Sequence, residues 1–231
     1  TTTVALTAGG DDSTLTISAS ADVESTGGDH TYTADKVDLS GTITATGRVV
    51  TIAPEVTADT DDALNLGGAD GADTLGLTDA ELDSITAATL RLGAATATGG
   101  ITVSADVSPA SAPIVRLQGD GGTVTGTSGG ITVASLAIVG GGEVNFTDST
   151  TNVTNLAIDT STGNVTFTEA NGLSVTTVDS IVGVDTDSGS VALSATAGSL
   201  TVVNTGNADD VAATTTVALT AGGDDSTLTI S

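Results

Sequence analysis

The sequence predicts an all-β protein, a parallel β-solenoid with coils of about 20 residues and one short helix near residues 78–85. Three observations predict it. Short runs rich in Val, Ile and Thr alternate with turns of Gly, Asp, Asn and Ser along nearly the whole chain. Groups of residues return after 20 and 21 positions: Leu136-Ala137-Ile138 as Leu156-Ala157-Ile158, and Val144-Asn145-Phe146-Thr147 as Val165-Thr166-Phe167-Thr168. The first 18 residues, TTTVALTAGGDDSTLTIS, return unchanged as Thr214–Ser231.

That last identity sets the organisation. Neighbouring coils of a repeat protein share a pattern and drift apart in sequence. Complete identity across an offset of 213 residues points to a larger unit. Residues 1–213 therefore read as one full tandem unit and residues 214–231 as the start of the next. Duplication of one segment by hand is the other way to obtain the pattern. On the first reading the molecule is a repetitive rod longer than 231 residues.

Taken in order, the strand runs begin with Val4–Thr7, Thr14–Ile17, Lys36–Leu39, Thr42–Thr46 and Val49–Ile52. They continue with Leu64–Leu66, Thr89–Leu92, Ile101–Val103, Ile114–Leu117 and Thr123–Thr125. β-Branched side chains fit a pleated, half-buried surface. Asp-rich punctuation separates the runs at Gly9–Asp12, Asp59–Asp62, Asp185–Asp187 and Gly206–Asp210. One segment breaks the pattern. Thr78 and Glu81 have capping-box spacing, and Leu82 and Ile85 fall on one helical face, so a helix of one to two turns is expected there. Val191-Ala192-Leu193 returns as Val217-Ala218-Leu219 after 26 residues, an excess that a longer loop absorbs. A period near 20 holds about three short strands with their turns, and it would place Phe146 and Phe167 as a small aromatic ladder. Chance similarity within a Thr/Val/Ala-rich chain is the plain alternative.

Composition narrows the function. Only Tyr32, Phe146 and Phe167 are aromatic, which suits a narrow aliphatic interior. The 29 acidic residues face only Lys36, Arg48, Arg91 and Arg116, a formal charge of −25. Nothing here could neutralise phosphates, so nucleic acid and anionic membrane surfaces are excluded as partners. The acidity serves solubility and repulsion between rods; cation binding and a salty habitat are sharper readings. No apolar run approaches the roughly 20 residues of a spanning helix, so no membrane insertion is expected in this segment. Cys is absent, so no disulfide supports the fold.

Catalysis finds little material. Without Cys, and with His30 as the single His, neither a Ser/Cys hydrolase nor a zinc site is supported. His30, between Asp29 and Thr31, reads as an exposed residue of a polar turn. A polysaccharide-acting enzyme would need cations or aromatic platforms that the chain lacks. Thr-x-Thr pairs such as Thr14/Thr16 and Thr42/Thr44 do not recur once per coil, so they read as solvent-facing strand positions rather than an ice-binding ladder. Leu66–Leu75 approaches the Gly/Asp-rich nonapeptide that binds Ca2+ in stacked toxin-type repeats. It carries one inserted residue and occurs once. Asp70 and Asp73 are its candidate Ca2+ ligands; a Gly/Asp turn between strands is the alternative. No other cofactor is expected.

The run LGLTDAELDSITAATLRLGAATATGGITVSADV, Leu75 to Val107, resembles the repeat regions of giant bacterial surface proteins of the filamentous-haemagglutinin type. Gly172 to Val202 is similar to the same class. The resemblance implies a secreted right-handed parallel β-helix acting as an extended adhesin, and it carries over no catalytic or ligand-binding residue. The expectation is therefore a structural segment of a stiff, acidic extracellular or cell-surface fibre, with adjacent copies of the same repeat, and neighbouring fibres where they bundle, as its partners. A calcium-stiffened adhesin of tandem β-sandwich domains is the competing expectation.

Overall fold

The structure is a computed structural model of the chain, and it describes residues 2–10, 12–56, 63–119, 121–206 and 209–231. Of the expected Asp-rich turns, Asp11, Asp59–Asp62, Asn207 and Ala208 lie outside the described residues. Among the described residues the regular secondary structure is all strand apart from the one helix Asp79–Asp83. These strands assort into a long sheet of 13, a second sheet of eight and two separate pairs. Pairing between them is parallel throughout, apart from the hairpin of Thr177–Val178 with Ile181–Val182.

Parallel strands cannot be joined by a tight hairpin, so each connection must leave the sheet and return. Here the returning connection carries a strand of the other sheet. From Ile85–Gly93 in the long sheet the chain passes to Ile101–Val103 in the second, back to Ile114–Gln118, and on to Val124–Gly126. It continues through Thr132–Gly140, Val144–Phe146, Asn152–Thr160 and Val165–Glu169 in the same alternation.

Each sequence echo is a pair of neighbouring strands in register. Leu136, Ala137 and Ile138 lie opposite Leu156, Ala157 and Ile158. Val144, Asn145 and Phe146 lie opposite Val165, Thr166 and Phe167. Val191, Ala192 and Leu193 lie opposite Val217, Ala218 and Leu219. The rings of Phe146 and Phe167 are fully buried, with centroids 5.6 Å apart and planes tilted by 31°. That is a tilted arrangement within the usual centroid range of aromatic pairs, not a face-to-face sandwich. One continuous hydrophobic cluster runs from Ile17 to Val202, mostly Val, Leu, Ile and Ala. Inward and outward residues alternate along its strands, as in Val165–Glu169, because successive side chains leave a strand on opposite faces.

Several bounds differ from expectation. Thr42–Thr46 and Val49–Ile52 fuse into one strand, Thr42–Ala53, with a register shift between Ala45 and Val49. Gly47 sits in that shift at φ 73°, a conformation glycine reaches without a Cβ clash. The helix is shorter than the expected 78–85. Thr78 caps it and Glu81 returns a carboxylate oxygen to the Thr78 amide at 2.9 Å, completing the capping box. It ends at Ser84, and Ile85 begins the strand Ile85–Gly93 instead of a second turn. Glu81 also accepts from the Leu39 amide at 3.2 Å, tying the helix to the strand Lys36–Leu39.

His30 is the clear correction. It is fully buried in the strand His30–Thr33 rather than exposed in a turn. The period of two points His30 and Tyr32 to the same inward face. Nδ1 lies 2.9 Å from the Tyr32 hydroxyl and Nε2 lies 2.8 Å from Ser25 Oγ. A neutral imidazole offers one donor and one acceptor, so both contacts are satisfied without a charge. Burial accordingly lowers the His30 pKa below its ordinary value, against a smaller opposing effect of Asp29.

Candidate functional site

Asp70 and Asp73 lie in the loop between the parallel strands Ala63–Leu66 and Thr74–Leu77. Asp70 Oδ1 accepts from the Gly76 amide at 2.8 Å and from the Val37 amide at 3.4 Å. Its carboxyl is pushed above its usual range by burial, while those two amides oppose the rise. Gly76 is needed there, because a Cβ would meet the Ala69 carbonyl carbon at 2.1 Å. Asp73 is exposed and takes φ 54°, the left-handed conformation that Asp tolerates in tight turns. Asp70 thus ties its own loop to the neighbouring strand Lys36–Leu39, and Asp73 shapes the turn. Among the described residues no group of three or more His, Asp or Glu is placed to hold a metal ion.

A charged strap crosses the outer face of the long sheet. Arg91 and Arg116 are register neighbours, and the same row continues through Ala137 and Ala157. The hairpin at residues 177–182 lies over this row. Its two turn residues, Asp179 and Ser180, both have positive φ, as a two-residue turn between twisted strands requires. Asp179 accepts from Arg91 Nε and Nη2, both at 2.8 Å, and lies 3.6 Å from Arg116 Nη1. Val178 covers the buried Ala137 and Ala157, with Ile114 and Ile181 packed beside them. The Arg91 guanidinium is raised further above its ordinary pKa by its bonds to Asp179. Nothing local in the sequence announces this contact, because Asp179 is 88 residues from Arg91. Two cations at equivalent places in a chain with four were the available signal.

The repeated segment presents the most distinctive geometry. In its first copy Val4–Thr7 pairs with His30–Thr33 at the edge of the long sheet, and Thr14–Ile17 pairs with Lys36–Leu39. In its second copy Val217–Ala221 pairs with Val191–Ala195 at the edge of the eight-stranded sheet, and Leu228–Ile230 pairs with Leu200–Val202 in the long sheet. On either side of the turn centre the backbone agrees between the two copies. Gly10 and Gly223 have φ 108° and 97°, and Asp12 and Asp225 have φ 59° and 62°. Among the described residues, four of the five exposed large hydrophobics, Leu6, Val217, Leu228 and Ile230, belong to this segment. Three of them, Val217, Leu228 and Ile230, lie in the second copy, where exposed apolar groups on edge strands offer a contact surface. A cleft of about 320 Å³ opens beside the second copy, lined by Val202, Val211, Val217, Leu219 and Ile230 together with Asp209 and Asp210.

Among the described residues no helix is long and apolar enough to cross a membrane. Comparison with family models, with curated proteins and with solved structures gave no match.

Proposed function

We propose that this chain is a structural segment of a giant tandem-repeat extracellular protein, folded as a parallel β-solenoid and forming a stiff, acidic surface fibre. The carrying observation is the repeated segment: identical residues form outermost strands of the parallel sheets at both ends of the stack. In-register pairing after 20, 21 and 26 residues supports coils of variable loop length around a common interior. Parallel pairing also favours this reading over tandem β-sandwiches, whose sheets are antiparallel. The charge of −25 keeps neighbouring rods apart in solution. An adhesive role rests on the resemblance to filamentous-haemagglutinin repeats, and no catalytic role is proposed.

Electron microscopy of native fibres tests the proposal. About ten coils per copy, at roughly 4.8 Å each, should give a rod of constant width advancing about 50 Å per copy. A beaded chain of about 70–80 Å per copy would replace it with pairs of globular domains. Loss of stiffness on adding a calcium chelator would bring the Asp70/Asp73 loop back as a metal site.

A further inference from the structure

We propose that the uncovered edge of residues 214–231 is a docking surface for a second copy of this sequence. That copy seats its strands His30–Thr33 and Lys36–Leu39 there, in the register that Val4–Thr7 and Thr14–Ile17 hold in the first copy. The proposal deepens the fibre reading and rests on it for the presence of a following copy.

The backbone groups carry the argument. Toward residues 29–33, the first copy uses the amides of Val4, 3.1 Å from the Asp29 carbonyl, and Ala8, 2.9 Å from the Thr33 carbonyl. Toward residues 191–195, the second copy uses the Thr216 carbonyl, accepting from Val191 at 2.8 Å, and the Gly222 amide, donating to Ala195 at 2.7 Å. Thr216 and Gly222 are the equivalents of Thr3 and Gly9, not of Val4 and Ala8. The second strand divides in the same way. Ser13 and Ile17 carbonyls accept from Lys36 and Ser40, each at 3.0 Å. In the other copy the Thr227 carbonyl accepts from Leu200 at 3.0 Å and the Ser231 amide donates to Val202 at 3.1 Å. Those two are the equivalents of Thr14 and Ser18. None of these groups is used in both copies. One copy can therefore hold residues 191–202 on one edge and residues 29–41 of the next copy on the other.

Side chains agree with the backbone. Ile17 is 4% exposed beneath the 36–41 segment, whereas its equivalent Ile230 is 71% exposed. Lys36 pairs with Asp12 at 2.6 Å, and Asp225, the equivalent of Asp12, has the same left-handed backbone. A docked copy would bring Lys36 to Asp225 and cover Ile230. Between separate molecules the incoming 214–231 segment must displace the acceptor's own first copy. The contacts exchanged are identical, and the displaced segment regains chain entropy, as in domain swapping.

Identical substitutions in the two copies test this, because they should act in opposite directions. Ile17→Asp loosens the acceptor's own segment, so sedimentation of the 231-residue chain should show end-to-end association strengthened by about tenfold or more. Ile230→Asp should abolish it. The chain has no Cys, so an Ala218→Cys chain mixed with a Thr31→Cys chain reports register directly: Ala5 lies opposite Thr31. That pair should form a disulfide on mild oxidation, and Thr220→Cys with Thr31→Cys, two residues out of register, should not. Association that survives Ile230→Asp, equal crosslinking of both pairs, or no association of the Ile17→Asp chain up to about 1 mM would each overturn the joint. A negative result beside smooth native fibres removes the joint and keeps the fibre. A positive result beside beaded fibres removes the solenoid and keeps the joint as a strand-exchange contact.

Discussion

Phe146 and Phe167 in the middle of the stack and Ile17 and Ile230 at its margins point inward from the same kind of short parallel strand. The middle pair has strands on both sides and is fully buried, while Ile17 is 4% and Ile230 is 71% exposed. The two isoleucines even share the same eighteen-residue context. What differs is the neighbour. In this molecule burial belongs to the stack, and a strand's own residues supply only the possibility of it.

The largest effects are expected in the middle of the stack. Phe167→Ala removes a fully buried ring whose centroid lies 5.6 Å from that of Phe146 and leaves a cavity, so a loss of about 3–5 kcal/mol is expected in denaturant titration. A loss below about 1 kcal/mol would mean that the interior is loosely packed and the stack is not its source of stability. Next in size is the strap. Asp179→Ala leaves Arg91 and Arg116 side by side without their shared carboxylate, and thermal melting should register about 1–3 kcal/mol. Asp179→Asn should recover a small part of it, since its single amide oxygen can still accept one of the two Arg91 hydrogen bonds.

The margins should respond unequally to one substitution. Ile17→Ala is expected to destabilise by about 2 kcal/mol and Ile230→Ala by less than about 0.5 kcal/mol. Equal losses would show that the second copy is covered in solution. The smallest effect is a pH dependence. Glu169 is fully buried, accepting from the Val153 and Asn171 amides at 3.3 and 2.5 Å, and burial raises its carboxyl above the ordinary value. Its folded pKa therefore lies above its unfolded one, so the native state takes up the proton first as pH falls. Stability should rise from pH 7 toward about pH 5, and Glu169→Gln should flatten that rise. His30 has the opposite sign. Its folded pKa is lowered, so acidification below its unfolded value near 6.5 protonates the unfolded chain first and removes stability. His30→Phe should steepen the gain between pH 6.5 and 5.

The parallel all-β character was legible because neighbouring strands in such a stack face like residues. Leu136-Ala137-Ile138 repeats as Leu156-Ala157-Ile158 in the sequence for the same reason that it pairs with it in space. The helix was legible from Thr78 and Glu81, since a capping box is a local signal. His30 differs from the expectation because its neighbours Asp29 and Thr31 are polar, whereas the strand period that turns His30 and Tyr32 to one inward face is set by pairing with distant strands. The strap leaves no trace in the local sequence because Arg91 and Asp179 are 88 residues apart. For Asp70 the pattern identified a turn residue; the use of its carboxylate by the Val37 amide depends on a strand 33 residues earlier.

The repeated segment joins the long sheet through Val4–Thr7 and the eight-stranded sheet through Val217–Ala221. In the proposed fibre, a copy seated on that joint would be turned about the axis from one sheet to the other. At about 50 Å per copy, from the rung spacing of parallel strands, a few copies would complete a revolution. The fibre would be a screw. Its helix Asp79–Asp83 would climb as a spiral stair instead of a straight rib. A neighbour lying alongside would meet the same facet only once per revolution, which discourages sideways zippering while every facet is shown to the surroundings in turn.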